Sequence, residues 1–170
     1  KNFLQIETGA FYETLEVNEL KNKATTYNTT LLRYGLLDNL ELRVGFDFTE
    51  VKREFRGVAL NDKLSGFSPL LLGVKIGIAE ENGAFPEIAF IGHVNVPGFA
   101  STDFKTKSTG TDFRFSLAHT LSEKSSLGYN IGMSWDGDIT TASYLYTLAY
   151  GYSISEKVGA FFELYGDIPE

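Results

Sequence analysis

The chain contains no cysteine, one methionine and one tryptophan. Without cysteine it has no disulfide, no thiolate metal ligand and no thiol nucleophile. No apolar run approaches the roughly 18 residues that a transmembrane helix needs, although 43% of the residues are hydrophobic. The formal net charge of −7 lacks the basic excess that nucleic-acid binding requires. Thiol chemistry and helical membrane spans are therefore excluded, and nucleic acid is not expected as a partner.

Nine segments instead alternate apolar and non-apolar residues with a period of two. In the segment 40–48, leucine, valine and phenylalanine occupy the even positions, and Glu41, Arg43, Gly45 and Asp47 occupy the odd ones. Successive side chains of a strand point to opposite faces, so each segment predicts a strand with one apolar face. The nine predicted strands cover approximately Phe3–Glu13, Thr25–Tyr34, Leu40–Glu50, Leu70–Ala79, Phe85–Val96, Thr111–Leu121, Ser126–Trp135, Ala142–Ser153 and Val158–Gly166.

The connections between these strands alternate between short and long. Residues 35–39, 80–84, 122–125 and 155–157 form short connections with turn residues. Residues 14–24, 51–69 and 97–110 form long polar ones, and only the connection after Trp135 departs from this order by being short. Outer-membrane barrels combine short periplasmic turns with long external loops, and their strands need about 10 residues to cross the bilayer. The pattern predicts an all-β protein, a transmembrane antiparallel up-and-down β-barrel of the bacterial outer membrane.

The two faces of the predicted strands differ in residue type. Glycine and other small residues are frequent opposite the apolar face, where a soluble sheet would favour lysine, glutamate and threonine. A crowded concave interior accommodates glycine better, although a soluble all-β ligand-binding barrel is the alternative. The apolar face would contact membrane lipid or lipopolysaccharide, with aromatic rings near the strand ends at the interface. Its lipid-facing and girdle candidates are Phe46, Phe48, Tyr129, Trp135, Tyr144, Tyr146, Tyr150 and Tyr152.

By strand parity, the opposite face carries the ionisable groups. Acidic and basic residues are interspersed, which fits either a pore lining that selects solutes or a self-neutralising network that fills a narrow lumen. We expect the basic groups Lys75, Arg43 and Arg114 to pair with carboxylates across the lumen, because unpaired buried charges are costly. The lumen-facing candidates are Glu7, Arg33, Glu41, Arg43, Asp47, Lys75, Glu87, His93, Asp112, Arg114 and Glu163.

The histidines do not form a catalytic or metal-binding pattern. His93 falls on the polar face, whereas His119 falls on the apolar face of a different strand, so the two are not expected to share a metal ion. No serine is placed to act with His93 as a nucleophile and base pair. We therefore predict no catalytic site, no metal and no cofactor, and interpret His93 as a hydrogen-bonded residue of the lumen.

Six short motifs follow one another along the chain: Tyr27–Leu36, Leu40–Gly45, Ser65–Pro69, Gly73–Lys75, Pro86–Ala89 and Leu127–Asn130. In their order and spacing they resemble the outer-membrane "transporter" family that is associated by name with the MetA pathway of phenol degradation. The similarity extends over nearly the whole chain and is greatest to Bacteroidetes-type members. It implies an outer-membrane barrel of about twelve strands, and it implies very little about the substrate.

The sequence is interpreted as a single barrel domain over residues 1–170. The predicted function is a channel or transporter for small solutes, not an enzyme. The alternative is a structural or accessory barrel with a closed lumen that binds other subunits of an outer-membrane complex. The ninth predicted strand runs outward and ends at Gly166, whereas single-chain bacterial barrels have an even number of strands. We therefore expect the chain to be truncated at its C-terminal end, with about three further strands as the resemblance implies.

Overall fold

The structure is a computed structural model that describes residues 2–170, apart from the side chain of Asp62. Two single-turn 3-10 helices, Pro97–Phe99 and Thr102–Phe104, lie between the sixth and seventh strands. Within the described residues, no helix is long and apolar enough to cross a membrane. The strands are β1 (Leu4–Val17), β2 (Leu20–Leu37), β3 (Leu40–Phe55), β4 (Val58–Phe67), β5 (Leu70–Ala79), β6 (Glu87–Val96), β7 (Gly110–Ser122), β8 (Ser125–Trp135), β9 (Ser143–Ser155) and β10 (Val158–Pro169).

All ten strands belong to one antiparallel sheet. Nine of them follow one another in the order β1-β2-β3-β5-β6-β7-β8-β9-β10, and β4 pairs only with β3. The sheet curls into a half-barrel, consistent with an up-and-down β-barrel. This topology confirms the predicted all-β fold class, and the nine predicted strands correspond to the nine strands of the main path.

The strand register keeps the apolar side chains on one face of the sheet. Ile76 pairs with Phe90, Phe90 with Phe115, Phe115 with Ile131, and Ile131 with Tyr146. Directly paired residues point to the same side, and a shift of one residue would invert a whole strand. The apolar face and the polar face that parity predicts are thus continuous across neighbouring strands. They are called the convex face and the concave face below.

The sheet has almost no hydrophobic core. Among the described residues, the buried hydrophobic ones are Ala89, Ile91 and Ala142, and no large side chain is fully buried. Many apolar residues of the convex face are exposed instead, for example Phe46 at 37% and Ile131 at 58%. The apolar side chains therefore require a surrounding medium or partner rather than a protein interior.

Two connections that the sequence predicts as long polar loops form β-hairpins instead. β1 and β2 continue to a turn at Asn18 and Glu19, with φ of 50° and 65°. β3 and β4 meet at Arg56 and Gly57, with φ of 51° and 77°. Two consecutive residues with positive φ are typical of type I′ turns, whose twist matches that of the strands. The loop predictions are wrong because the two-residue period continues while charged residues replace apolar ones.

This replacement is visible on the convex face of β2, β3 and β4. Tyr27, Phe48 and Phe67 are paired in register, and beyond this row the same face carries ion pairs. Lys63 Nζ lies 2.6 Å from Oε2 of Glu50, and Lys23 pairs with Glu54 farther along the hairpin. The convex face thus changes from apolar to charged at one level of the sheet.

We expect Gly132→Ala to lower the free energy of unfolding in detergent micelles by about 1–3 kcal/mol. A Cβ atom at Gly132 would lie 2.1 Å from the carbonyl oxygen of Phe113 and 2.8 Å from Cα of Arg114, so β7 and β8 would have to separate. Gly128→Ala, on the same face of β8, is the control because its Cβ meets only the Leu117 oxygen at 3.9 Å. Equal losses in urea titrations of both variants would contradict this prediction.

Candidate functional site

The concave face brings chemically active side chains from β3, β6 and β7 to one level, with a glycine of β5 between them. The register pairs Arg43 of β3 with Gly73 of β5, Gly73 with His93 of β6, and His93 with Asp112 of β7. A Cβ atom on Gly73 would lie 2.2 Å from Cδ2 of His93. The absence of a side chain at this position therefore lets the imidazole ring lie over β5.

The first group of charges, the Arg33 cluster, consists of Glu7, Arg33, Glu41 and Arg43. Arg33 donates from Nε and Nη2 to the two oxygens of Glu41 at 2.9 and 3.1 Å. Its Nη1 donates to Glu7 at 2.7 Å, and Nε of Arg43 donates to Glu41 at 2.8 Å. Two guanidinium groups and two carboxylates therefore neutralise one another, and the bidentate contact fixes the orientation of Arg33.

The second group, the His93 cluster, consists of His93, Asp112 and Arg114. Nδ1 of His93 lies 3.0 and 3.2 Å from the two carboxylate oxygens of Asp112, and Nη2 of Arg114 donates to Asp112 at 2.9 Å. The side chains of His93 and Asp112 are only 9% and 13% exposed. The hydrogen bond agrees with the interpretation of His93 as a fixed residue of the concave face.

The ion pairs agree only in part with the prediction. Arg43 and Arg114 bind carboxylates, but their partners lie two positions away on the same strand and not across the lumen. Lys75 is in register with Glu41, yet its ammonium makes no ion pair with any described residue, so this part of the prediction is wrong. Within residues 2–170, the structure likewise shows no ion pair for the remaining predicted lumen carboxylates, which are Asp47, Glu87 and Glu163.

The concave face has several hollows, and two of them lie beside the Arg33 cluster. One of about 430 Å³, here called the Asp47 hollow, has a mostly apolar wall and includes Phe11, Leu31, Asp47, Leu71 and Asn95. Gly45 is buried beneath it, where an added Cβ would lie 3.3 Å from Cβ of Leu71. The sequence already placed Asp47 on this face, but the hollow itself depends on the curvature that brings β1, β2, β3, β5 and β6 around it.

The second hollow, of about 320 Å³, lies next to the Arg33 cluster. It is lined by Arg33, Glu41, Lys75 and Glu87 together with Asp38 from the turn between β2 and β3. Charges of both signs therefore surround this space, whereas no lysine or arginine lines the Asp47 hollow. The concave face thus offers two chemically different surfaces to a solute.

The predicted girdle residues lie on the convex face, as their register shows. Phe113 and Trp135 have ring centroids 6.3 Å apart, and the hydroxyl of Tyr129 lies 3.3 Å from Nε2 of His119. His119 is therefore on the convex face, as parity predicts. Contact of this face with lipid stays a prediction for all of its candidates: Phe46, Phe48, Tyr129, Trp135, Tyr144, Tyr146, Tyr150 and Tyr152.

A pair of loop contacts at one end of the sheet was not predicted from the sequence. The backbone N–H of Ser101 donates to the carbonyl of Phe67 at 2.9 Å, and Ser101 Oγ accepts from the N–H of Phe67 at 2.9 Å. Farther along the same loop, the N–H of Ser108 donates to the carbonyl of Gly137 at 2.9 Å. Residues 97–110 are thus attached both to the end of β4 and to the loop between β8 and β9.

Asp136 organises the loop between β8 and β9. Its Oδ1 accepts hydrogen bonds from the backbone N–H groups of Ile139 at 3.0 Å and Asp138 at 2.7 Å. These hydrogen bonds hold the pKa of the Asp136 carboxyl below its usual range, and the charge of Lys107 acts in the same direction. Asp138 in turn accepts from the N–H of Lys107 at 3.1 Å, which connects the two loops.

The charged side chains and hollows of the concave face are groups that can bind a ligand. His93 makes no hydrogen bond to a serine or threonine hydroxyl in the part of the chain that the structure describes. No group of three or more histidine, aspartate or glutamate side chains among these residues is arranged to hold a metal ion. What the described geometry provides is fixed charges and hollows that can bind and orient a small molecule.

We expect Glu41→Gln to lower the free energy of unfolding by about 1–3 kcal/mol, because two guanidinium groups lose a charged acceptor. Glu41 is only 22% exposed, so water compensates poorly for this loss. The control is Glu163→Gln, an exposed carboxylate of the same face for which the described residues provide no ion pair. Urea titration in detergent micelles measures the free energy of unfolding of both variants. An equal loss in the two variants would contradict a specific role for the Arg33 cluster.

We expect Asp136→Ala to abolish the protection of the Asp138 and Ile139 amides from hydrogen exchange. Because the pKa is lower in the folded chain, the wild-type protection is complete above the ordinary value of about 3.9. The protection is lost as the pH falls through the lower pKa that Asp136 has in the folded chain. Protection factors measured by NMR at several pH values test this, and unchanged protection in the alanine variant would contradict it.

The chain matches the model of a known family. Among curated proteins, none matches this chain. The model of a family described as the MetA-pathway of phenol degradation matches residues 1–169, which is nearly the whole chain. This agrees with the resemblance seen in the sequence motifs. The chain therefore belongs to the MetA-pathway of phenol degradation family.

Proposed function

We propose that this chain is a bacterial outer-membrane β-barrel protein whose concave face lines a passage for small solutes, and that it catalyses no reaction. The observation that carries the proposal is the contrast between the two faces. The convex face exposes aromatic and aliphatic side chains across many strands, while the concave face holds the Arg33 and His93 clusters and a hollow lined by charges of both signs. A barrel in lipid requires this arrangement.

The exposed apolar face supports a membrane rather than water as the surrounding medium. A soluble all-β barrel would bury residues such as Phe46, Ile76 and Phe115, yet these are 37–39% exposed. Soluble monomers rarely expose apolar patches larger than a few hundred Å². The change to the Lys23–Glu54 and Glu50–Lys63 ion pairs beyond Phe48 is what the edge of a bilayer would produce.

The family supports an association with phenol degradation by its name alone. The concave face supports the more general idea of a solute passage, because the Asp47 hollow and the mixed-charge hollow leave space between side chains. The alternative is an accessory barrel with a closed lumen, and the mutual neutralisation within the Arg33 and His93 clusters favours it.

Conductance in planar bilayers separates these two functions. We expect the purified full-length protein, as the cell makes it, to give discrete current steps in potassium chloride and to let liposomes swell in arabinose. Leu71→Trp should lower the unit conductance because residue 71 lines the concave face, whereas Leu72→Trp should leave it unchanged because residue 72 lies on the convex face.

Heat-modifiable migration on gels and recovery in the outer-membrane fraction show that each variant is folded and inserted. A folded, inserted wild-type protein that gives no current and no swelling would contradict the passage and favour the accessory barrel. Equal conductance for the two tryptophan variants would contradict the assignment of the concave face as the lining.

A further inference from the structure

We propose that the Asp47 hollow is a binding subsite for small organic ammonium ions that carry an apolar body. This inference rests on the proposed function and names the class of solute that the passage would hold. It combines three features of the concave face: a carboxylate without an ion pair, a lining without basic residues, and a mostly apolar wall.

The carboxylate of Asp47 differs from the other partly buried carboxylates of the concave face. Glu41 binds Arg33 and Arg43, and Asp112 binds Arg114 and His93, whereas Asp47 makes no ion pair with any residue that the structure describes. A partly buried anion without a partner is unfavourable, and a cationic ligand removes this cost. The charge at Asp47 is therefore available to a solute.

The lining of the hollow excludes a competing cation from the protein itself. Its two acidic residues are Asp47 and Glu7, and no lysine or arginine is among its lining residues. Glu7 is already bound by Arg33 at 2.7 Å, so Asp47 is the acid that remains to attract a ligand. A positively charged group that enters the hollow would meet one uncompensated negative charge.

The wall explains why the cation should carry an apolar body. Phe11, Leu31 and Leu71 line the hollow on three different strands, β1, β2 and β5. Burial of apolar ligand surface against them strengthens binding, because this surface is removed from water. A volume of about 430 Å³ accommodates a molecule of the size of one aromatic ring with a short amine chain.

Asn95 supplies an additional polar contact at the same wall. It lines the hollow from β6, and its side-chain amide forms no hydrogen bond with another described residue. An ammonium group has three donors, and only some of them can reach Asp47. The oxygen of the Asn95 amide can accept a further one, so a primary amine fits the hollow better than a bare metal cation, which gains nothing from the apolar wall.

The test uses benzylammonium as the probe, with methylammonium and benzoate as comparisons. In single-channel recordings of the full-length wild-type protein in potassium chloride, benzylammonium should interrupt the current at lower concentration than either comparison. Methylammonium lacks the apolar body and benzoate has the opposite charge. Asp47→Asn should raise the half-blocking concentration of benzylammonium by about tenfold, because a charge-assisted hydrogen bond is lost.

Glu123→Gln is the matched control, because it removes the same charge from an exposed turn residue between β7 and β8. It should leave the half-blocking concentration unchanged. Equal block by benzylammonium and methylammonium, or equal block in the wild type and Asp47→Asn, would overturn the proposal.

Binding in detergent micelles, followed by NMR line broadening of benzylammonium, provides a measurement that needs no open passage. Asp47-dependent binding without any current would contradict the passage and leave the subsite standing. Current without Asp47-dependent binding would support the passage and overturn only the proposed subsite. Gel migration tests whether Asp47→Asn, which keeps the side-chain shape, folds like the wild type.

Discussion

The antiparallel hydrogen-bond ladder is the constraint on which the other features of this structure depend. Each strand of the main path pairs with its neighbour in the chain order, with β4 as the single branch. Because side chains alternate between faces, the register determines the surroundings of every residue at once. The convex aromatic face, the concave charges and the hollows follow from this register, including its shifts, such as the one between Tyr27 and Thr30 in β2.

The ladder also explains how the sheet can exist with almost no core. In the described part of the chain, burial of hydrophobic residues is limited to Ala89, Ile91 and Ala142. Backbone hydrogen bonds, the close approach of β7 and β8 at Gly132, and the charged clusters hold the strands together. The exposed apolar face then needs stabilisation from outside, and under the proposed function the apolar interior of a lipid bilayer provides it.

Much of the fold follows from local periodicity, and the remainder depends on contacts that no local pattern encodes. Alternation in Leu40–Phe48 predicts both a strand and its faces, and parity correctly assigns His93 and His119 to opposite sides. Beyond Phe48 the period persists, but charges replace apolar residues, so a hydrophobic criterion mistakes strand for loop. The unpaired state of Lys75 and the contact of Ser101 with Phe67 depend on side-chain geometry and long-range packing.

The electric field at each level of the concave face depends on how the charges are paired there, and less on the total charge of the face. At the level of Arg33 and Asp112, acids and bases neutralise each other in fixed pairs, and a passing solute meets little net field there. At Asp47 the compensation is absent from the described residues, and the wall is apolar. In the proposed passage, selectivity for one class of solute would arise from a single uncompensated carboxylate, even though acidic and basic residues alternate along the same strands.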